Sequence, residues 1–256
     1  MDPNQIKAWE DFLPQSTIEY LLNPTAETIG QSLDGIATAL CWPLLKLRII
    51  EKNKLEQFAN EIRNKNSQIP IENRDSSKIG LAIKAIEEAR YQLSKDDIRK
   101  MYVNLISSTV DNRKNDVVTP RLATVVSQLG SDEAYFLNTI NKMKNHSIIY
   151  GYMSIVDNKT FATSDLPDRF YSTGDDTYTL LNMASINILE SLGIIEVHER
   201  ASLTSNLYTK HYKFLEIFLK SRVENIKLPK NEAFEFTHAY IRTTNFGDHL
   251  LDCIFE

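Results

Sequence analysis

Apolar residues recur every three or four positions through the first part of this chain, and that spacing breaks after His146. A period near 3.6 marks a helix with one buried face, whereas dense β-branched and aromatic runs mark strands, so the break separates two kinds of structure. Ile29, Leu33, Ile36, Leu40, Leu44 and Leu47 hold the helical spacing, and Leu55, Phe58, Ala59 and Ile62 continue it. Pro43 removes a backbone donor inside this run and should kink or divide it near Cys41-Trp42.

Shorter helices follow. Ile79, Ile83, Ile86 and Ala89 line one between Ser77 and Leu93. Ser94 with Asp97 resembles a capping box with a shortened acid, opening a helix that carries Ile98, Met101, Tyr102, Leu105 and Ile106. Thr119-Pro120 fits an N-cap and first helical position, Gly130 a stop, and Ser131 the next cap. Beyond His146, Ile148–Val156 reads as a strand that Asp157-Asn158-Lys159 turns back, and residues 164–177 read as a polar loop. A helix is predicted over Tyr178–Leu192, stopped by Gly193 and followed by extended Ile194–Val197. Phe234–Thr243 alternates like a strand, and Thr244 caps a last helix through Phe255.

The expected fold is therefore mainly α within an α+β class. A helical bundle over 1–145 precedes a winged-helix-like domain over 146–256 with a small β-hairpin or sheet. At 256 residues the chain can bury about three quarters of its unfolded surface, so it needs neither disulfides nor metals for a core. Cys41 and Cys253 sit in apolar contexts and read as buried thiols of a reducing compartment. Met1-Asp2-Pro3-Asn4-Gln5 has no secretory character, so the cytoplasm is the expected location.

In order, several segments resemble the abortive infection alpha family of bacterial proteins associated with phage defence. They are Ile98–Asp111 with Asn104, Leu105 and Asp111; Pro120–Ala134 with Gln128, Leu129 and Glu133; Leu189–Ile195; and Thr244–Gly247 with Cys253 downstream. Ile69-Pro70 and the Gly30/Gly35 segment fit as well. The resemblance covers roughly residues 25–255 and implies a defence role, with no active site to carry over. The stretch between Val197 and Phe234 is longer than the family pattern.

Chemistry is sparse. With eight glycines there is no phosphate-cradling loop, dinucleotide fingerprint, nucleophile elbow or paired-histidine zinc motif. A net charge of −5 gives no overall attraction to nucleic acid, and Tyr171–Val197 carries no Lys or Arg, so a reading helix there would be repelled by phosphate. Lys210, Lys213, Lys220, Arg222, Lys227 and Lys230 alternate with Glu216 and Glu224, as a solvated surface does. His249 and Cys253 share a helical face, but too few further ligands accompany them to make a metal site.

Three functional readings remain. The first is a non-catalytic defence protein that works through a protein partner or self-association, with no cofactor, no metal and no nucleic acid. The second is a nuclease in which Arg242 holds a phosphate and His249 moves protons, a pairing known from HEPN-type ribonucleases. The third is a membrane-perturbing toxin using residues 29–50, where Leu40, Trp42, Leu44, Leu45 and Leu47 form the candidate membrane or partner face. Asp34, Lys46 and Arg48 oppose that third reading, since each costs about 2.5–3.5 kcal/mol at a bilayer centre. The first reading is preferred.

Overall fold

The computed structural model describes residues 51–173 and 177–256, together with Leu33, Ala37 and Cys41. Chain contacts divide it into two compact units, one containing residues through Tyr135 with His249–Glu256, the other Phe136–Asp248. The class is α+β, with eight α-helices and a five-stranded antiparallel sheet among the described residues.

The first unit is helical. It holds α1 (Lys52–Ser67), α2 (Ile79–Ala89), α3 (Asp96–Ser108) and α4 (Pro120–Ser127). It also holds the beginning of α5 (Ser131–Asn141) and, far along the chain, the latter part of α8 (Asn245–Phe255). Helix α3 packs against α1, α2 and α4. It is buried on nearly every side, by Ile98, Met101, Tyr102, Leu105 and Ile106 but also by Arg99, Ser107 and Ser108. Arg99 is only 1% exposed, which is tolerable because its guanidinium is paired. It donates to both oxygens of Glu61 at 3.0 and 3.2 Å, to Asp96 at 2.5 Å and to the Leu93 carbonyl at 3.3 Å. Leu33, Ala37 and Cys41 are helical and fully buried, and burial pushes the Cys41 thiol up to about 12.

Two caps differ from expectation. Helix α3 starts at Asp96 after Lys95, not after Ser94, and Asp96 and Asp97 supply negative charge to its first turn. At α5 the Gly130 amide is the group satisfied, donating to Glu133 Oε2 at 2.7 Å, so the reciprocal half of a capping box does the work expected of Ser131.

The second unit is built on the sheet β3-β2-β1-β5-β4, formed by β1 (Ser147–Asp157), β2 (Thr163–Ser172), β3 (Tyr178–Leu180), β4 (Ile195–Glu199) and β5 (Glu232–Thr243). Its one-face core joins Ile149, Met153, Phe170 and Phe236 to Tyr212, Leu215, Leu219 and Val223 of α7 (Asn206–Val223). The segment read as a polar loop is thus mostly β2, and a Pro inside it sits where pairing with β1 slips between Tyr152 and Ser154. The helix predicted from Tyr178 divides: β3 comes first, and α6 (Met183–Ser191) begins only where Asn182 Oδ1 accepts from the Ala184 and Ser185 amides.

Gly193, at φ 74°, ends α6 in the left-handed conformation that favours glycine. The carbonyls on either side of that turn are then gripped. Thr244 Oγ1 donates to the Gly193 carbonyl at 2.6 Å and accepts from the Gly247 amide at 2.9 Å, while the Thr244 amide donates to the Ile194 carbonyl at 3.0 Å. A Cβ on Gly247 would lie 2.0 Å from the Ile194 carbonyl oxygen, a backbone atom that cannot turn aside. Gly247→Ala is therefore expected to destabilise the protein by about 1–3 kcal/mol, an overpacking penalty. Urea titration followed by circular dichroism would measure it, and an unchanged midpoint would contradict the close approach.

Candidate functional site

In the first unit, Asn104, Ser107, Ser108 and Asp111 follow one another at helical spacing along α3 and the turn beyond it, so they share a face. A 3-10 turn at Asn112–Lys114 then brings back Arg113 and Lys114. These groups, with Lys65 from the end of α1 and Glu256 after α8, line a cavity of about 430 Å³.

Its polar side chains meet the end of α8, where the last carbonyls of any helix lack internal partners. Lys114 Nζ donates to the Asp252 carbonyl at 2.5 Å, Ser108 Oγ to that of Cys253 at 3.2 Å, Asn104 Nδ2 to that of Ile254 at 2.8 Å, and Lys65 Nζ to that of Glu256 at 2.5 Å. Two cations therefore sit at the negative end of the helix dipole. Desolvation and then the neighbouring Lys114 hold the Lys65 ammonium below its ordinary pKa. Asp111 is almost fully buried and forked by Arg113, with Nε–Oδ1 at 2.8 Å and Nη2–Oδ2 at 2.5 Å. Those hydrogen bonds depress its carboxyl, outweighing the opposite effect of burial. Burial pushes the Cys253 thiol up to about 11, so it is held as the neutral thiol.

The residues singled out from sequence fall elsewhere. Arg242, on β5 of the second unit, donates twice to Glu196 Oε2 at 2.7 and 2.9 Å. His198 Nε2 lies 3.3 Å from the same oxygen, and its ring stacks on Tyr240 at 4.4 Å. His249 is exposed on the stretch of α8 that belongs to the first unit. Leu40, Trp42, Leu44, Leu45 and Leu47 lie outside the described residues. Among the described residues no helix is long and apolar enough to cross a membrane, and no cluster of three His, Cys, Asp or Glu groups could hold a metal.

Two features escaped the sequence reading. Lys65 and Lys114 gave no motif, since they join α8 only through the fold. The helix α7 was legible in Tyr212, Leu215, Leu219 and Val223, spaced three and four apart, but its mixed charges masked it. Its other face exposes Leu207 at 48%, Phe214 at 39% and Ile217 at 57%, and Ile226 beyond its end is 53% exposed.

Fold and site together define a two-unit α+β protein, one unit helical, the other built on an antiparallel sheet. The family model for abortive infection alpha matches residues 50–254, and the chain belongs to that family. No curated protein matches the sequence significantly. Among solved structures, an uncharacterized protein from the hydrocarbon-degrading marine bacterium Alcanivorax borkumensis SK2 is 17% identical, with a TM-score of 0.30, over 57% of this chain and 96% of that one.

Removing the Asn104 side chain strands the Ile254 carbonyl, so Asn104→Ala is expected to cost about 1–3 kcal/mol in chemical denaturation. For Asp111 the sign follows from its depressed pKa. Its pairing stabilises the fold above the unfolded carboxyl pKa of about 4 and is lost as pH falls through the lower folded value. The stability gap between wild type and Asp111→Asn should be full at neutral pH and close as the pH falls below about 4. A gap that persists in acid would contradict the assignment.

Proposed function

We propose that this protein is a bacterial phage-defence protein of the abortive-infection type that acts in the cytoplasm by binding a protein partner or a second copy of itself, without catalysis. The family supports the defence role. The binding mode rests on the outward face of α7, where Leu207, Phe214 and Ile217 leave an apolar stripe on an otherwise charged helix. Contiguous exposed apolar surface rimmed by charge is characteristic of interaction sites. Lys210 lies 5.6 Å over the Phe214 ring, adding a cationic edge to that stripe.

A winged-helix-like reading of the second unit is supported by α6, the Gly193 turn, and the antiparallel pairing of β4 with β5 around the connection that contains α7. The absence of Lys and Arg from Tyr171 to Val197 favours protein over nucleic acid as its partner.

Phage plaque assays on cells expressing variants test the proposal. Phe214→Glu with Ile217→Glu should abolish protection, with at least about tenfold weaker partner or self-association, because buried charge opposes an apolar contact. Both positions are solvent-exposed, so the unfolding midpoint should stay near wild type. Arg242→Ala with His249→Ala should protect fully. The reverse pattern, protection lost with Arg242 and His249 and kept without the apolar stripe, would replace binding with nuclease action.

A further inference from the structure

The cavity in the first unit is lined by lysine donors beyond those that the end of α8 consumes. Lys65 carries three N–H groups and spends one on the Glu256 carbonyl. Lys114 spends one on Asp252 and stands 3.7 Å from Glu256 Oε2. Of the two carboxylates in the lining, Asp111 is already occupied by Arg113 and Glu256 faces Lys114.

Charge points the same way. Lys65, Arg113 and Lys114 outnumber Asp111 and Glu256 on the cavity wall, inside a chain whose net charge is −5. Desolvation first and then the nearby charge of Lys114 lower the Lys65 pKa, so a further negative group beside the two lysines offsets their repulsion and meets their unspent donors. The volume of about 430 Å³ falls within the range of roughly 300–1,000 Å³ found for small-ligand pockets.

We propose that this cavity binds a small phosphate monoester of mononucleotide size, its phosphate held by Lys65 and Lys114 with Arg113 at the edge. The site is independent of the α7 surface, so either reading can fail without the other.

Calorimetric titration of the full chain with AMP, and with adenosine as the phosphate-free control, tests it. AMP should bind, adenosine should not, and added salt should weaken the AMP complex. Lys65→Gln should weaken AMP binding by about tenfold or more, the loss expected for a hydrogen bond to a charged group. Should Lys65→Gln fail to fold, Gln68→Glu serves instead, because it adds a carboxylate to the cavity lining from an exposed position and should likewise weaken binding. Absence of AMP binding, AMP binding no tighter than adenosine, or AMP binding untouched by these substitutions would overturn the proposal.

Discussion

The end of α8 is the point on which the architecture of the first unit turns. Four consecutive-turn carbonyls there, of Asp252, Cys253, Ile254 and Glu256, take their hydrogen bonds from Lys114, Ser108, Asn104 and Lys65. The bond to Cys253 is buried and those to Asp252 and Ile254 are part-buried; a buried carbonyl left without a partner costs about 1–3 kcal/mol against a whole-domain stability of only about 5–15 kcal/mol. This requirement explains why α3 carries Ser108 and Asn104 at positions where a buried helix would otherwise be apolar. It also explains why two lysines are tolerated side by side: the negative end of the helix dipole offsets part of their repulsion.

A comparable grip operates within the second unit, at the junction of α6, β4 and the start of α8. There the Thr244 hydroxyl is both donor and acceptor, bonding to the Gly193 carbonyl and to the Gly247 amide. The two short patterns, Leu-Gly-Ile-Ile at 192–195 and Thr-x-x-Gly at 244–247, are thus one structural device split across the sequence. Gly193 supplies the positive φ, and Gly247 supplies the missing Cβ that lets the Ile194 carbonyl approach. Ser108 and Cys253 form a similar split pair in the first unit, the serine hydroxyl donating to the Cys253 carbonyl at the end of α8. The family motifs that carry the resemblance therefore have a physical meaning as helix-end and turn locks, quite apart from any role in binding.

Much of the fold was legible because its signals are local. Thr119 with Pro120 opens α4, Gly193 closes α6, and the alternation of Phe234, Phe236, His238 and Tyr240 is β5. The strand β2 was not legible, because only Phe170, Tyr171 and Ser172 of it are buried; its first half is defined by pairing with β1 and has no hydrophobic alternation to betray it. The cavity was illegible for a different reason. Lys65 meets the Glu256 carbonyl across 191 positions of sequence, and neither residue belongs to a pattern that spacing alone could relate. Asn104 and Asp111 were visible as motif residues, but only the fold shows one holding a carbonyl and the other an arginine.

The state of Arg242 bears on what the second unit can do. An arginine that holds a scissile phosphate must present its guanidinium fork to the anion. Here the fork is already closed on Glu196, whose carboxyl the arginine holds below its ordinary pKa. Glu196 is therefore ionised throughout the neutral range, and an incoming phosphate would meet a carboxylate at the position it needs. His198 approaches the same oxygen, so the neighbouring histidine also serves the ion pair. Displacing Glu196 would exchange one anion for another on an exposed surface, with little net gain in an environment that water screens. The α7 face has no such competitor: Leu207, Phe214 and Ile217 gain by leaving water, and that gain is realised only when another apolar surface covers them.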